Sequence, residues 1–161
     1  MSGVMFFLMN YRPDGNDNLK GAGIAIISIS DSYPPVPSAT RFCQYWWDGS
    51  TEPWYGDVGA IRSGNYIYAY GHGPGSLFVY LTRVPWRNAT DLSYYEYWNG
   101  ESWQTDRLIN FGEKERVFWA INQGQVIWSN YYECYLFIYC GKFWWAKFAA
   151  RRRESGHLQS A

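Results

Sequence analysis

The sequence predicts an all-β fold built of propeller-like blades, and two observations carry the prediction. Phe, Trp and Tyr make up 21% of the 161 residues, and these residue types are enriched in β-strands. Two blocks, Trp46–Gly49 and Tyr97–Gly100, share the order aromatic, Trp, Asp or Asn, Gly, and their glycines lie 51 positions apart. Each block closes a run of apolar strand, polar loop and aromatic strand, and such a repeat of short strands is typical of propeller blades.

The first group of strands is expected to be incomplete. Its N-terminal segment is apolar but lacks the basic residues and the small-residue cleavage site of a signal peptide, so it is interpreted as a strand. The loop Asp31–Ala39 contains three prolines and separates the last two strands. The predicted strands are Val4–Asn10, Ala22–Ser30 and Arg41–Trp47.

The second group supplies one complete blade, and the third supplies part of another. Alternating apolar and aromatic runs between glycine-rich turns define these strands. The second group contains Gly56–Arg62, Tyr66–Tyr70, Ser76–Val84 and Tyr94–Trp98. The third contains Gln123–Ser129 and Glu133–Tyr139. Residues 1–141 therefore form a partial propeller domain of about two and a half blades, and residues 142–161 form a last strand or short helix with a basic, polar tail.

The repeated blocks mark the ends of outer blade strands. Asp48-Gly49 and Asn99-Gly100 are expected to set tight hairpin turns, and Trp47 and Trp98 are expected to pack between blades. Propellers need about four to eight blades to close. We therefore expect a truncated product, or self-association through open blade edges, because unpaired edges pair with other chains.

Charge and cysteine content exclude several classes of function. The chain has 14 basic and 14 acidic residues, so no net field draws it to nucleic acid, and no stretch is long enough to span a bilayer. The spacing of Cys134 and Cys140 along one predicted strand is too long for a disulfide, whereas a pairing of Cys43 with either stays open. Buried structural thiols are the favoured interpretation. No metal-ligand spacing is present, and no cofactor is predicted.

The order of several segments resembles a known family. The segments are Tyr55–Ile61, Tyr66–Gly71, Val79–Val84, Tyr95–Gly100 and Gln123–Trp128. Together they resemble the five-bladed propeller family catalogued as domain of unknown function 4185, over about residues 4–141. The resemblance implies a five-bladed ring, secretion and carbohydrate chemistry, since some members are endo-D-arabinanases. The family's first and closing blades have no counterpart here.

A few polar and aromatic residues are candidates for a sugar site. Glycoside hydrolysis generally uses two carboxyl groups, and Asp57, at the start of the inner strand of the complete blade, is the candidate catalytic carboxylate. A turn cap is the alternative role for Asp57. Trp54 and Tyr55, at the channel entrance, could stack on sugar rings. His72 could reach the channel mouth, although an exposed turn histidine is the favoured interpretation, and neither histidine has an evident partner for a catalytic triad.

The remaining candidates predict binding rather than catalysis. Gln123 and Gln125 can hold sugar hydroxyls but cannot act as a general base. Glu113 and Glu115 are expected in a solvated loop, and Glu96 is expected to be structural. With one good carboxylate, the sequence predicts a glycoside hydrolase-like protein that is catalytically incomplete. A non-catalytic carbohydrate-binding module and a structural or interaction fragment are the alternatives.

Overall fold

The computed structural model describes residues 2–11, 18–119, 121–141 and 146–151. These residues form an all-β fold without α-helix. The twelve strands are β1 (Ser2–Tyr11), β2 (Asn18–Ile29), β3 (Pro37–Arg41), β4 (Trp47–Asp48), β5 (Gly59–Ser63), β6 (Tyr66–His72), β7 (Val79–Pro85), β8 (Glu96–Trp98), β9 (Trp103–Gln104), β10 (Ile121–Ser129), β11 (Cys134–Gly141) and β12 (Ala146–Arg151). Two single-turn 3-10 helices, η1 (Trp86–Asn88) and η2 (Leu92–Tyr94), follow β7.

The strands form three separate antiparallel sheets in chain order, and none of them closes on itself. The first sheet has the order β1-β2-β3, with β4 also paired to β2. The middle sheet has the order β5-β6-β7-β8-β9, and the third has the order β10-β11-β12. The three predicted groups of strands therefore correspond to three sheets. The all-β class is confirmed.

The middle sheet is buried on both faces. Successive side chains of a strand point to opposite faces, and here each face belongs to a different core. On β6, Ala69 packs in the core shared with the first sheet, whereas Tyr70 packs in the core shared with the third. On β8, Tyr97 packs in the core shared with the first sheet and Trp98 in the core shared with the third. The middle sheet thus lies between the other two.

Trp47 is the centre of the core between the first and middle sheets. Its ring is fully buried and meets Tyr55 and Tyr95 edge to face, with centroids 5.2 and 5.4 Å apart. Its indole N–H donates to the hydroxyl of Tyr97 at 3.2 Å, so the polar edge of the ring is satisfied as burial requires. As predicted, Trp47 packs between two neighbouring groups of strands, which are here the first and middle sheets.

Stacked phenylalanines join the middle and third sheets. Phe137 of β11 stacks on Phe118 with centroids 4.3 Å apart and ring planes 9° apart. Phe118 is held against the middle sheet because Val79 donates its N–H to the Phe118 carbonyl at 3.0 Å. Trp98 belongs to the same core, as expected of a residue between two groups of strands.

In the first sheet, the predicted strands Val4–Asn10 and Ala22–Ser30 correspond to β1 and β2, whereas the third strand prediction was wrong. The predicted loop Asp31–Ala39 already contains the start of β3, and the predicted strand Arg41–Trp47 is irregular between the end of β3 and the start of β4. Every residue of β3 is exposed, so no apolar pattern marked it. For the C-terminal segment, the strand alternative is confirmed over Ala146–Arg151; the tail beyond it lies outside the described residues.

The two Asp/Asn-Gly turns differ from each other. Asn99 and Gly100 do form a hairpin turn between β8 and β9, with Gly100 at a φ of +93°. Asp48 is not in a hairpin. Its carboxylate instead accepts hydrogen bonds from the side chain and backbone of Ser50, which lower the pKa of Asp48. Gly49 is required because a Cβ there would meet the backbone of β2.

No disulfide joins the three cysteines. Cys134 and Cys140 both lie on β11, as expected, with Cys134 buried. Cys43 is exposed, so the interpretation of all three as buried thiols was wrong for this residue. Among the residues described, no helical segment has the length and apolarity that a membrane crossing requires.

Buried tyrosines make the fold sensitive to alkali. Burial raises the pKa of Tyr55, Tyr70 and Tyr95 above the usual 10.0. Above that value the unfolded chain releases phenolic protons that the folded chain keeps. The free energy of unfolding should therefore fall as pH rises beyond 10, by about 1.4 kcal/mol per pH unit for each such tyrosine. Urea unfolding at several pH values, read beside tyrosinate absorbance, measures this. Complete ionisation with near-ultraviolet circular dichroism retained would contradict it.

Trp47 should be the most costly indole to remove from the first core. We expect Trp47→Ala to lower the free energy of unfolding by about 3–5 kcal/mol, because a large cavity and an unpaired Tyr97 hydroxyl remain. Trp119→Ala is the control, since that side chain is 65% exposed and its loss should cost within about 0.5 kcal/mol. Similar losses for the two variants in urea unfolding would contradict this account of the core.

Candidate functional site

Asp57 and His72 form a hydrogen-bonded acid–base pair at the end of β6. The carboxylate Oδ2 lies 2.8 Å from His72 Nδ1, and Oδ1 accepts the His72 backbone N–H at 3.1 Å. The two side chains are only 11% and 9% exposed. Both carboxylate oxygens are thus engaged by one residue, which fixes the orientation of the imidazole ring and directs its Nδ1 toward Asp57.

The loop before β5 brings Asp57 to His72. The N–H groups of Gly56 and Val58 both donate to the carbonyl of Tyr70, at 3.0 and 3.3 Å, and Trp54 donates to the carbonyl of His72 at 2.8 Å. The loop therefore runs beside the last residues of β6. Gly56 has a φ of +102°, and a Cβ there would overlap the side chain of Phe6 on β1. Only glycine permits this approach to the first sheet.

Several expectations about this pair were wrong. His72 is the last residue of β6 and is buried, so it is not an exposed turn histidine, and it does have a carboxylate partner. Asp57 lies in a turn two residues before β5 begins, not within the inner strand. It does not cap its own turn. The pairing spans 15 positions, and no local sequence pattern could have indicated it.

The two aromatic candidates occupy different environments. Tyr55 is 1% exposed and packs in the first core, so its ring faces are covered by protein and do not fit the expected role of sugar platform. Trp54 is half-buried, and its indole N–H donates to the Gly49 carbonyl at 2.8 Å. The hydroxyl of Tyr55 is buried without a hydrogen-bond partner in the described structure.

Gln123 and Gln125 are both exposed on β10, on the same face of the strand. Their strand lies next to the middle sheet at its β5 edge: a Cβ on Gly59 would be 3.5 Å from the Gly124 carbonyl oxygen and 3.8 Å from Gln125 Cα. Gly59 follows Asp57 by two residues. The β10 backbone therefore lies close to the start of β5, two residues after Asp57.

The other carboxylates serve structural roles or are exposed. Glu96 pairs with Arg83 directly across β7 and β8, with Nε and Oε2 2.6 Å apart, so its structural assignment is supported. The Arg83 guanidinium also lies 4.2 Å from the ring centroid of Trp103. Glu113 is exposed, whereas Glu115 accepts the Gly112 N–H at 2.7 Å.

Sequence reasoning missed a second buried ionic contact. Glu52 is 5% exposed, and its two carboxylate oxygens accept from Arg107 Nε and Nη2, each at 2.7 Å. Arg107 also donates to the Trp46 carbonyl. This bidentate pair ties two loops together across 55 positions. The charges were visible in the sequence, but nothing local signalled their contact.

The arrangement at Asp57 is an oriented carboxylate–imidazole pair. A carboxylate held by an imidazole offers acceptor and donor atoms side by side, which suits general acid–base chemistry. In the described ranges, no cluster of three or more His, Cys, Asp or Glu residues could hold a metal ion.

Comparison with protein-family models gives no match, and comparison with curated proteins gives none either. The resemblance to the five-bladed propeller family is therefore still a hypothesis.

The Asp57–His72 pair should contribute measurably to stability. Asp57→Ala leaves the buried His72 N–H without its acceptor, and we expect a loss of about 1–3 kcal/mol in the free energy of unfolding. Asp57→Asn retains an acceptor and should lose less. The exposed Asp31 provides the control, because Asp31→Ala should change stability by no more than about 0.5 kcal/mol. Urea unfolding measures all three, and equal values for Asp57→Ala and Asp31→Ala would refute the proposed contribution.

Proposed function

We propose that the chain is a glycoside hydrolase-like protein that binds arabinan-type polysaccharide at the Asp57–His72 pair but does not hydrolyse it by itself. In this proposal the three sheets are successive blades of a five-bladed propeller of the resembling family. The observation that carries the proposal is the pair itself, an oriented carboxylate and imidazole at a strand end.

The position of the pair supports a sugar site. Asp57 lies in the loop that enters the middle sheet, and this loop touches the first sheet through Gly56 and precedes Gly59, which touches β10. A ligand at this edge would meet polar groups from more than one sheet. Gln123 and Gln125, exposed on β10, would supply amide donors and acceptors to sugar hydroxyls.

The proposed absence of turnover rests on how the other acids are engaged. The standard mechanism needs a second carboxyl group about 5–9.5 Å from the first. Glu96 is held by Arg83, and Glu115 is held by a backbone amide. Glu52 is enclosed by Arg107. In the proposal, Asp57 and His72 therefore bind and orient the sugar without completing the catalytic pair.

Calorimetric titration with arabino-oligosaccharide tests the proposal. We expect saturable binding by the unmodified chain and no release of reducing ends from arabinan. Asp57→Asn should weaken binding about ten- to hundredfold, because a hydrogen bond to a charged group contributes about 1.5–3 kcal/mol. Asp31→Asn removes an exposed carboxylate elsewhere and should bind like the unmodified chain.

Three outcomes would contradict the proposal in different ways. Release of reducing ends that Asp57→Asn abolishes would identify a complete hydrolase. Binding that Asp57→Asn leaves intact but Gln123→Ala and Gln125→Ala remove would identify a binding module centred on β10. No binding, with native circular dichroism retained, would leave only a structural role.

A further inference from the structure

A groove of about 480 Å³ opens between the first and middle sheets. Its walls are largely apolar: Val4, Phe6 and Ile26 line it from the first sheet, and Ala60 and Ile67 line it from the middle sheet. Pockets for small organic ligands typically have this size and this apolar character.

The groove exists because the packing between these sheets ends at β5. Ala60 and Arg62 lie directly opposite Ala69 and Ile67 on β6, and residues directly opposite in an antiparallel pair share a face. Ala69 and Ile67 both pack in the first core. Ala60 and Arg62 continue the same face of the middle sheet on β5, but both side chains are exposed. The small side chain of Ala60 leaves the space unfilled.

Two arginines and a tryptophan form the rim of the groove. The guanidinium carbons of Arg62 and Arg87 lie 4.2 and 4.9 Å from the ring centroid of Trp86. The backbone N–H of Trp86 donates to the Asn65 carbonyl at 2.9 Å at the start of η1. Both guanidinium groups therefore lie beside the same indole ring at the groove.

Within the ranges that the structure describes, neither Arg62 nor Arg87 forms an ion pair with a carboxylate. The contrast with Arg83 and Arg107 is direct, because each of those residues binds a glutamate at under 3 Å. Two guanidinium groups beside an apolar groove offer bidentate sites for an anion.

We propose that this groove binds a small amphipathic anion, with its acidic head group on Arg62 and Arg87 and its apolar body between the two sheets. A neutral sugar would leave both charges unmatched and would gain little from isoleucine walls. The site is distinct from the Asp57–His72 pair, and its proposal does not depend on carbohydrate binding.

Calorimetric titration with decanoate, below its micellar concentration, tests the site. We expect one-to-one binding. Acetate has the head group without the body, and decanol has the body without the charge, so each should bind at least tenfold more weakly. Decyl phosphate, measured in parallel, distinguishes a phosphate from a carboxylate head group. Tighter binding than decanoate assigns a phosphate head group and weaker binding a carboxylate, and either result supports the site.

Three variants locate the binding. The double variant Arg62→Gln/Arg87→Gln should weaken decanoate binding at least tenfold. Ala60→Phe should weaken it similarly by filling the groove, without disturbing the core, because Ala60 is exposed. Arg41→Gln is the matched control: Arg41 is also exposed and lies 5.4 Å from the ring centroid of Phe7, so this variant should bind normally.

Several results would overturn the proposal. These are equal binding of decanol and decanoate, unchanged binding by the double arginine variant, unchanged binding by Ala60→Phe, and an equal loss in Arg41→Gln. Absence of decanoate binding by the unmodified chain would also overturn it. Thermal unfolding monitored by circular dichroism verifies that each variant is folded before its titration is interpreted.

Discussion

Burial of the middle sheet on both faces is the constraint on which the rest of the structure depends. Each of its central strands carries two sets of side chains, and alternate residues belong to different cores. On β7, Tyr80 faces the first core and Leu81 faces the second. A shift of one residue in this register would exchange the two sets, so both cores must form in the same register. The aromatic content of the chain serves this double core, since large planar side chains fill the space between sheets.

The same constraint positions the Asp57–His72 pair. His72 is the last residue of β6. The two residues before it, Tyr70 and Gly71, lie beside the loop that carries Asp57. Gly56 lets this loop touch the first sheet, and Gly59, at the start of the following strand, lies close to β10 of the third sheet. Asp57 therefore lies between one residue that contacts the first sheet and another that lies close to the third. The geometry of the pair depends on sheet packing rather than on the loop alone.

Some charged side chains are paired within the fold, and others stack on an aromatic ring without an ion-pair partner among the described residues. The chain has no net charge, and several of its ions are paired within the fold, including Arg83 with Glu96 and Arg107 with Glu52. Such pairs satisfy each other and orient loops. Arg62 and Arg87 stack on one indole instead. This difference, and not the overall charge, is the basis of the anion site proposed for the groove between the first two sheets.

The sequence by itself determined the fold class and much of the strand order. Period-two aromatic strands and glycine turns are local features, so β6, β7, β10 and β11 were predicted close to their observed bounds. The exposed strand β3 lacks such a pattern and was missed. Sequence also selected Asp57 and His72 as separate candidates. Only the tertiary structure decided that Asp57 and His72 pair, that Tyr55 is buried, and that Arg62 and Arg87 stack on the ring of Trp86. Each of these facts depends on contacts that form when the chain folds, some of them between different sheets.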